Sequence, residues 1–203
     1  MLAEHIIYSG AFAILAGMVF YRYAGRDPSW IIIISAGAPD IDFFAHDILT
    51  WFGFEVFFEG SWITHGTFHN ILALLIFGTG MAFLLHPLRI KFFDTLLFAS
   101  LGFGAHLVED ALVYNGGYKF LWPLSSEALG IALLPGIFSG ETYGKDFFGI
   151  ADSQVLIIGL VFLLAAILIR TRIEGSSSWF RWYLPDRVYR KFFPEKTPEL
   201  PPE

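Results

Sequence analysis

Four stretches of the chain are long enough and apolar enough to cross a membrane, and they limit its fold more than any other feature. They cover residues 6–23, 67–86, 92–112 and 152–170. A helix needs about 20 apolar residues to span the roughly 30 Å hydrocarbon core of a bilayer. Since unpaired backbone groups are not tolerated in lipid, long apolar stretches of this kind form helices. The sequence therefore predicts an all-α integral membrane protein.

The composition agrees with a lipid environment. Hydrophobic residues make up 55% of the 203 residues and charged residues only 16%, against roughly 25% charged residues in a typical soluble domain. The net charge of −6 argues against nucleic acid as a partner, because nucleic acid requires a basic surface. The sequence has no cysteine, which excludes disulfides and thiolate metal ligands. The bilayer is the expected partner, and the oligomeric state is left open.

A fifth apolar stretch is too short to cross the membrane. Asp27 and Pro28 suit the start of a helix, and the apolar run from Trp30 to Ala38 ends at Pro39. Such a helix would rise about 16 Å, roughly half of the bilayer. It is stable only where its end is buried in protein or faces a wet cavity. About five membrane helices are thus predicted, one of them short or broken, with further helices at the interface.

Basic residues set the predicted orientation, because Lys and Arg collect on the cytoplasmic side. If the amino terminus is outside, only Lys119 and Lys145 of the 13 Lys and Arg residues lie outside. The chain is therefore expected to be a multi-pass protein of the inner or plasma membrane, N-out and C-in. Residues 1–175 would form the membrane domain, and residues 176–203 a cytoplasmic amphipathic tail with a disordered end.

Two segments outside the predicted spans are also of interest. Residues 43–63 are rich in Phe and Trp with scattered acidic residues, which favours an interfacial helix or lid on the outer side. Residues 113–150 are predicted to form a long outer loop, and loops of this length are usually functional.

Ionisable side chains within the apolar segments are the main functional candidates. Each costs about 2.5–3.5 kcal/mol or more at the membrane centre, so it requires a partner or a function. Counting from the cytoplasmic helix ends places His5, Asp40, His69 and His106 about 18–25 Å up, in one layer. Asp110 shares a helical face with His106. Imidazoles and carboxylates are ligands of zinc and similar divalent ions, so a metal site is predicted.

Several of these residues also have simpler explanations. His5 alone could be an interfacial histidine, and Asp40 a residue that ends a helix. His106 and Asp110 could pair only with each other. Glu109 points about 100° away from Asp110 on the helix and could face the outer water.

Short motifs in a fixed order over residues 5 to 125 carry a resemblance to a known family. They are His5, the run Ala36-Gly37-Ala38 into Pro39-Asp40-Ile41-Asp42, the segment Gly66–Asn70 with His69, the pair His106-x-x-x-Asp110, and Leu121-Trp122-Pro123-Leu124-Ser125. In this set the chain resembles the membrane-bound metal-dependent hydrolases of the YdjM type, which are distantly similar to zinc-dependent phospholipase C and P1-type nucleases.

The resemblance implies a particular set of functional residues. Asp42 would support the metal, and its ligands would be His5, Asp40, His69, His106 and Asp110. The family often reads His-Arg-Gly-x-Thr-His-Ser, where this chain has Thr64 and His65 at the first two positions. The chain therefore lacks either the arginine that would bind an anion or the first-position ligand, unless His65 substitutes.

We therefore expect a hydrolase that uses one or two divalent ions, preferably zinc, to activate water against an ester of a lipid-like substrate. A phospholipase C-like phosphoesterase is favoured, with Asp42 or Glu109 as the catalytic carboxylate and the site on the extracytoplasmic side. Two alternatives remain open. A metal- or proton-coupled transporter also places Asp and His at a broken helix, and a non-catalytic membrane protein could hold a structural metal.

Overall fold

The computed structural model describes residues 2–58, 61–113, 118–130, 153–184 and 186–192, and most of these are helical. The helices are α1 (Leu2–Ala24), α2 (Trp30–Ser35), α3 (Asp42–Trp51), α4 (Ile71–Leu85), α5 (Phe92–Val113), α6 (Ser153–Glu174) and α7 (Asp186–Phe192). Short 3-10 helices cover Pro39–Ile41, His86–Leu88 and Ser178–Trp182. An antiparallel hairpin of β1 (Phe57–Phe58) and β2 (Ser61–Trp62) follows α3.

Among the described residues, four helical stretches are long and apolar enough to cross a membrane: Leu2–Ala24, Ile71–Leu88, Phe92–Leu112 and Val155–Glu174. They match the four apolar stretches of the sequence, so their helical structure is confirmed. Many large side chains of α4 and α6 lie exposed on the outside, among them Ile76 and Leu168 at 65% and 60%. In water these surfaces would be unfavourable, but lipid tails solvate them.

The short apolar stretch forms a helix that ends earlier than predicted. α2 stops at Ser35, and the chain continues through a tight turn into the 3-10 helix Pro39–Ile41. The backbone N–H of Ala36 donates to the carbonyl oxygen three residues earlier, and so does that of Ala38. This bonding tightens the end of a helix. The predicted range Trp30–Ala38 is therefore part α-helix and part tight turn.

Close packing holds α2 between α1 and α5. Ile31 and Ile32 are fully buried there. A Cβ atom on Gly102 of α5 would lie only 2.5 Å from the carbonyl oxygen of Ile32. Glycine at this position thus allows the two backbones to touch, and it fixes the height of α2 against α5.

A buried ion pair joins the segment after α1 to the end of α6, and it lies against the middle of α1. Arg170 donates to Asp27 over 2.6 Å, and both side chains are fully buried. The hydroxyl of Tyr183 donates to the carbonyl oxygen of Ala13 over 3.1 Å and lies 3.4 Å from Asp27. Burial, together with the negative charge of Asp27, raises the pKa of Tyr183 above its ordinary value. This cluster joins α1, α6 and the segment after α6.

Other predictions meet the structure only in part. Residues 43–63 contain α3 and the hairpin. Of the predicted loop 113–150, residues 114–117 and 131–150 lie outside the described residues, as does the end of the tail from 193. In the tail, Trp179 is buried against α1 and α6; it therefore packs on protein instead of on the lipid interface. The domain boundary at residue 175 stays a prediction.

Candidate metal centre

Four segments that are far apart in the sequence bring polar side chains into one buried cluster. They are the start of α1, the 3-10 helix after α2, the residue before the N-cap of α4, and the second half of α5. Each of the predicted ligands is at most 2% exposed. In chain order these ligands are His5, Asp40, His69, His106 and Asp110.

Two carboxylates and two imidazoles form the centre of this cluster. Nε2 of His69 lies 3.5 Å from Asp40 Oδ1 and 3.1 Å from Asp110 Oδ2. Nε2 of His106 lies 3.4 Å from the same two oxygens. Of these four residues, His69, His106 and Asp110 form one group whose ligand atoms are close enough to share an ion.

His5 approaches from the side of α1. Its Nε2 lies 3.8 Å from Asp110 Oδ1 and 4.0 Å from Asp40 Oδ2. Its ring stacks on that of His106, with 3.8 Å between the ring centres. His5, Asp40 and His106 form a second group that could hold an ion, so the cluster has ligands for one ion or for two ions close together.

The other ring nitrogen of each histidine faces an acceptor outside the cluster. Nδ1 of His106 donates to the carbonyl oxygen of Ala36 over 2.6 Å. Nδ1 of His5 lies 2.9 Å from Glu109 Oε2, and that of His69 lies 3.4 Å from Asp42 Oδ2. Because acceptors of this kind hold the proton on Nδ1, the Nε2 lone pairs of His106 and His5 point into the cluster.

This arrangement fits a cation at the centre. Nε2 of His69 and Nε2 of His106 are 3.3 Å apart, and their lone pairs would repel each other and the nearby carboxylates. In the described part of the chain, Asp40 Oδ2 is buried without a hydrogen-bond partner. Buried charge is costly unless it is paired or binds a metal. The nitrogen and oxygen donors are those that zinc accepts.

Asp42 holds the turn that carries His69. Its Oδ2 accepts from the backbone N–H groups of Gly66 and Phe68, each over 2.9 Å. Burial raises the pKa of Asp42, but the hydrogen bonds from His65, His69 and the Phe68 N–H outweigh this and leave the pKa below its ordinary value. Asp42 is thus favoured as a carboxylate that positions the metal ligands.

The same turn depends on two further local features. Gly66 has φ +97°, and a Cβ there would lie 2.6 Å from the ring of Tyr118, so glycine is required for both conformation and space. Asn70 is the N-cap of α4, and its side chain accepts from the N–H of Ala73 over 2.9 Å. A cap of this kind fixes the start of the helix immediately after His69.

A known protein family matches this chain over most of its length. The sequence model of the YdjM inner membrane protein family matches residues 1–177. The chain belongs to the YdjM inner membrane protein family. Together with the apolar helices, this supports a multi-pass location in the inner membrane. No curated protein and no solved structure matches the chain significantly, so similarity to zinc-dependent phospholipase C and P1-type nucleases stays a prediction.

The predicted site residues of this YdjM family member form an inner and an outer set. The five predicted ligands lie in one cluster, in two groups that share His106. Asp42 and Glu109 lie further out, against Nδ1 of His69 and Nδ1 of His5. The alternative position of Glu109 in the outer water is wrong, because its side chain is only 11% exposed and contacts His5. Asp42 and Glu109 thus adjoin the ligands and stand outside the inner set.

Two further histidine contacts differ in their relation to the YdjM cluster. His46 lies away from it and packs its ring on Trp62. His106 contacts the carbonyl oxygen of Ala36, and no motif in the sequence predicts this contact. The sequence offers only a general indication: the end of any broken helix has unpaired carbonyl groups, which require a hydrogen-bond donor nearby.

His65 lies on the more open side of the YdjM cluster. Its side chain is 27% exposed, and its Nδ1 lies 3.2 Å from Asp42 Oδ1 and 4.0 Å from Asp40 Oδ1. Its Nε2 lies 3.2 Å from the hydroxyl of Tyr118. Asp40, His65 and His69 form a third group that could hold an ion. Sequence reasoning misses Tyr118, since nothing in the motif pattern marks it.

Proposed function

We propose that the chain is a membrane-bound metal-dependent hydrolase that cleaves an ester or phosphoester of a lipid-like substrate. The observation that supports this most is the convergence of three imidazole Nε2 atoms on two carboxylates, with an outer acceptor facing every Nδ1. Outer acceptors that orient metal-ligating histidines are a general feature of metal sites.

His69, His106 and Asp110 would hold one ion, and Asp40 and His5, which form a group with His106, would complete its coordination or help to hold a second ion. Zinc is the preferred ion because its ligands are imidazoles and carboxylates. When bound, such an ion supplies Lewis acidity, which makes water a nucleophile near neutral pH. The two carboxylates offset the charge of the ion in the low dielectric of the site.

Glu109 is the better candidate for the residue that accepts a proton from water. One of its oxygens contacts His5, while the other, Oε1, is buried and has no hydrogen-bond partner among the described residues. Both oxygens of Asp42 are already engaged, by His65 and by the backbone of the 66–68 turn. We therefore assign proton transfer to Glu109 and positioning to Asp42.

The open side of the cluster favours catalysis over a purely structural metal. A structural zinc site is closed by four protein ligands, whereas a catalytic site keeps one position for water or substrate. The partly exposed His65 and its neighbour Tyr118 border this side. Water would enter there.

The charge distribution supports a site on the extracytoplasmic side. His5 and Arg22 lie 17 residues apart on α1, about 25 Å along a helix. Arg26, just beyond α1, pairs with Asp94 at the start of α5 over 2.6 Å. The basic residues thus lie at the helix ends opposite to the cluster, and Lys and Arg favour the cytoplasmic side.

A transporter is the second candidate, since α2 is a broken helix whose end contacts His106. Broken helices with polar residues at their ends form the binding sites of many transporters. In that case the protein would carry ions across liposome membranes in a metal-dependent manner and would hydrolyse no lipid.

The test of the proposal is hydrolysis by purified, zinc-loaded protein in detergent, with phosphoester and carboxylester lipids as substrates. We expect turnover that a chelator abolishes and added zinc restores. Asp110→Asn should abolish turnover, whereas Asp47→Asn, on an exposed position of α3, should not. Zinc-loaded protein that hydrolyses none of these lipids but carries ions across liposomes would refute the proposal in favour of the transporter.

A further inference from the structure

A large apolar cavity lies between α1, α5 and α6, beside the candidate metal centre. Its volume is about 800 Å³, within the range typical of ligand pockets. Most of its wall consists of apolar side chains, such as Phe12, Ala105, Val108 and Phe162. All of its lining residues belong to the candidate membrane spans. We call it the α1/α5/α6 groove.

The groove opens towards lipid. Phe12, Val108 and Phe162 line it and are 38%, 59% and 55% exposed on the outside of the helices. Since these helices are apolar enough to cross a membrane, the surface around the mouth of the groove would face hydrocarbon. A molecule in the bilayer could therefore enter sideways, without passing through water.

One end of the groove reaches the candidate metal centre. Glu109 lines the groove, and its Oε2 lies 2.9 Å from Nδ1 of His5. On α5 the lining extends from Leu112, past Glu109, back to Ser100, and Ser100 lies about 13 Å along the helix from Glu109. The groove thus runs from the polar cluster towards the middle of the membrane, as the chain of a lipid does.

Two buried polar atoms at this end lack partners. Ser9 lies one helical turn after His5, is 1% exposed and lines the groove. Its hydroxyl and Glu109 Oε1 have no hydrogen-bond partner within the described parts of the chain. Buried polar groups are normally satisfied. A polar group on a bound molecule would satisfy the Ser9 hydroxyl at the point where the apolar wall ends.

We propose that the α1/α5/α6 groove binds one hydrocarbon chain of the lipid substrate and places its ester or phosphoester head beside Glu109 and His5. This inference rests on the proposed function and adds the route and the part of the substrate that is recognised. It commits to a lipid with at least one long chain, drawn from the surrounding membrane.

The test is photo-crosslinking of the full chain, zinc-loaded and in phosphatidylcholine nanodiscs. The probe is phosphatidic acid with a photoactivatable diazirine in the middle of one acyl chain. We expect adducts on the groove walls of α1, α5 and α6. Ala105→Phe fills the groove and should lower these adducts about fivefold or more. Ala165→Phe is the matched control, because Ala165 is a half-buried alanine of α6 outside the groove lining.

A second variant keeps the test decisive if Ala105→Phe does not fold. Val108→Trp blocks the mouth of the groove from an exposed position, and it should lower the adducts in the same way. Bound zinc and thermal unfolding show whether each variant is intact. Adducts spread evenly over all lipid-facing helices, or adducts that an intact Val108→Trp protein retains, would overturn the proposal. Crosslinks between two protein chains through the groove would also overturn it, because they indicate a protein occupant.

The two experiments distinguish failure of the groove proposal from failure of the proposed function. Metal-dependent hydrolysis without groove adducts would support the proposed function and refute lipid binding in the groove. The opposite outcome is a protein that hydrolyses no lipid but forms groove adducts, which both blocking variants reduce. It would support the groove as a lipid-binding site and refute the hydrolase.

Discussion

Nδ1 of His106 lies 2.6 Å from the carbonyl oxygen of Ala36. This bond joins the middle of α5 to the turn that follows α2, and both groups are buried. A broken helix leaves carbonyl groups without partners, which membrane proteins must satisfy within the protein. Here one of these carbonyls fixes the proton of a candidate ligand, so the broken helix contributes directly to the geometry of the metal centre.

Gly102→Ala should weaken metal binding by disturbing this contact. The added Cβ would lie 2.5 Å from the carbonyl oxygen of Ile32, so α2 must shift and carry Ala36 and Asp40 with it. Loss of such outer contacts typically lowers metal affinity by about 10–100-fold. The measurement is zinc titration of the purified protein. Gly80→Ala is the control, since a Cβ there meets nothing within 4 Å; equal affinities in both variants would contradict the prediction.

Glu109→Gln separates the two roles assigned to this residue. Gln can still contact His5 but cannot accept a proton from water, so hydrolysis should fall about 100-fold or more while zinc stays bound. The measurement is turnover and zinc content of the same sample. Glu127→Gln, at an exposed position, should change neither. If Glu109→Gln retains full turnover, Glu109 is not the proton acceptor.

Asp42→Ala should destabilise the metal-free protein. It removes the acceptor of two backbone N–H groups, those of Gly66 and Phe68, and a buried group left unpaired costs about 1–3 kcal/mol. Thermal unfolding of the metal-free protein measures this loss. Asp47→Ala, on the exposed face of the same helix, should leave the unfolding temperature unchanged, and a similar loss in both variants would argue against the role of the turn.

The sequence indicates the ligands well but not their surroundings. Counting residues along apolar helices gives depth in a membrane, and depth alone places His5, Asp40, His69 and His106 in one layer. Rotation about the helix axis is set by packing, which has no simple signal in one sequence. For that reason the sequence is compatible with Glu109 facing the outer water, whereas in the structure the Glu109 side chain contacts His5.

The ends of helices and the packing of loops are likewise difficult to predict from one sequence. The predicted end of α2 lies too late because Ala36 and Ala38 suit a helix by composition, while the tight turn depends on bonds at its end. The mixture of aromatic and basic residues around Trp179 is typical of a membrane interface. In the structure the guanidinium of Arg170 lies 4.9 Å from the Trp179 ring centre, a contact across the bend after α6 that periodicity does not reveal.

Alkaline pH should weaken the cluster of Asp27, Arg170 and Tyr183. The pKa of Tyr183 is raised in the folded protein, so its contribution to stability is present below about pH 10, the ordinary tyrosine pKa, and is lost as pH rises above it. Wild type should therefore lose more stability between about pH 8 and pH 11 than Tyr183→Phe does. Thermal unfolding at both pH values measures this difference.

Tyr23→Phe is the control for alkaline pH, since Tyr23 is 85% exposed. It should lose stability with pH as the wild type does. An identical pH response of the wild type and Tyr183→Phe would show that ionisation of Tyr183 does not oppose folding.

The most direct test of the metal centre is elemental analysis of purified protein after zinc loading and removal of free metal. The wild type should hold one or two zinc ions per chain, and Asp40→Ala and His106→Ala should lose them while remaining folded in detergent. Asp47→Ala and His86→Ala, at exposed positions, should bind zinc like the wild type. Unchanged zinc content in folded Asp40→Ala and His106→Ala protein would contradict the assignment of this cluster as a metal centre.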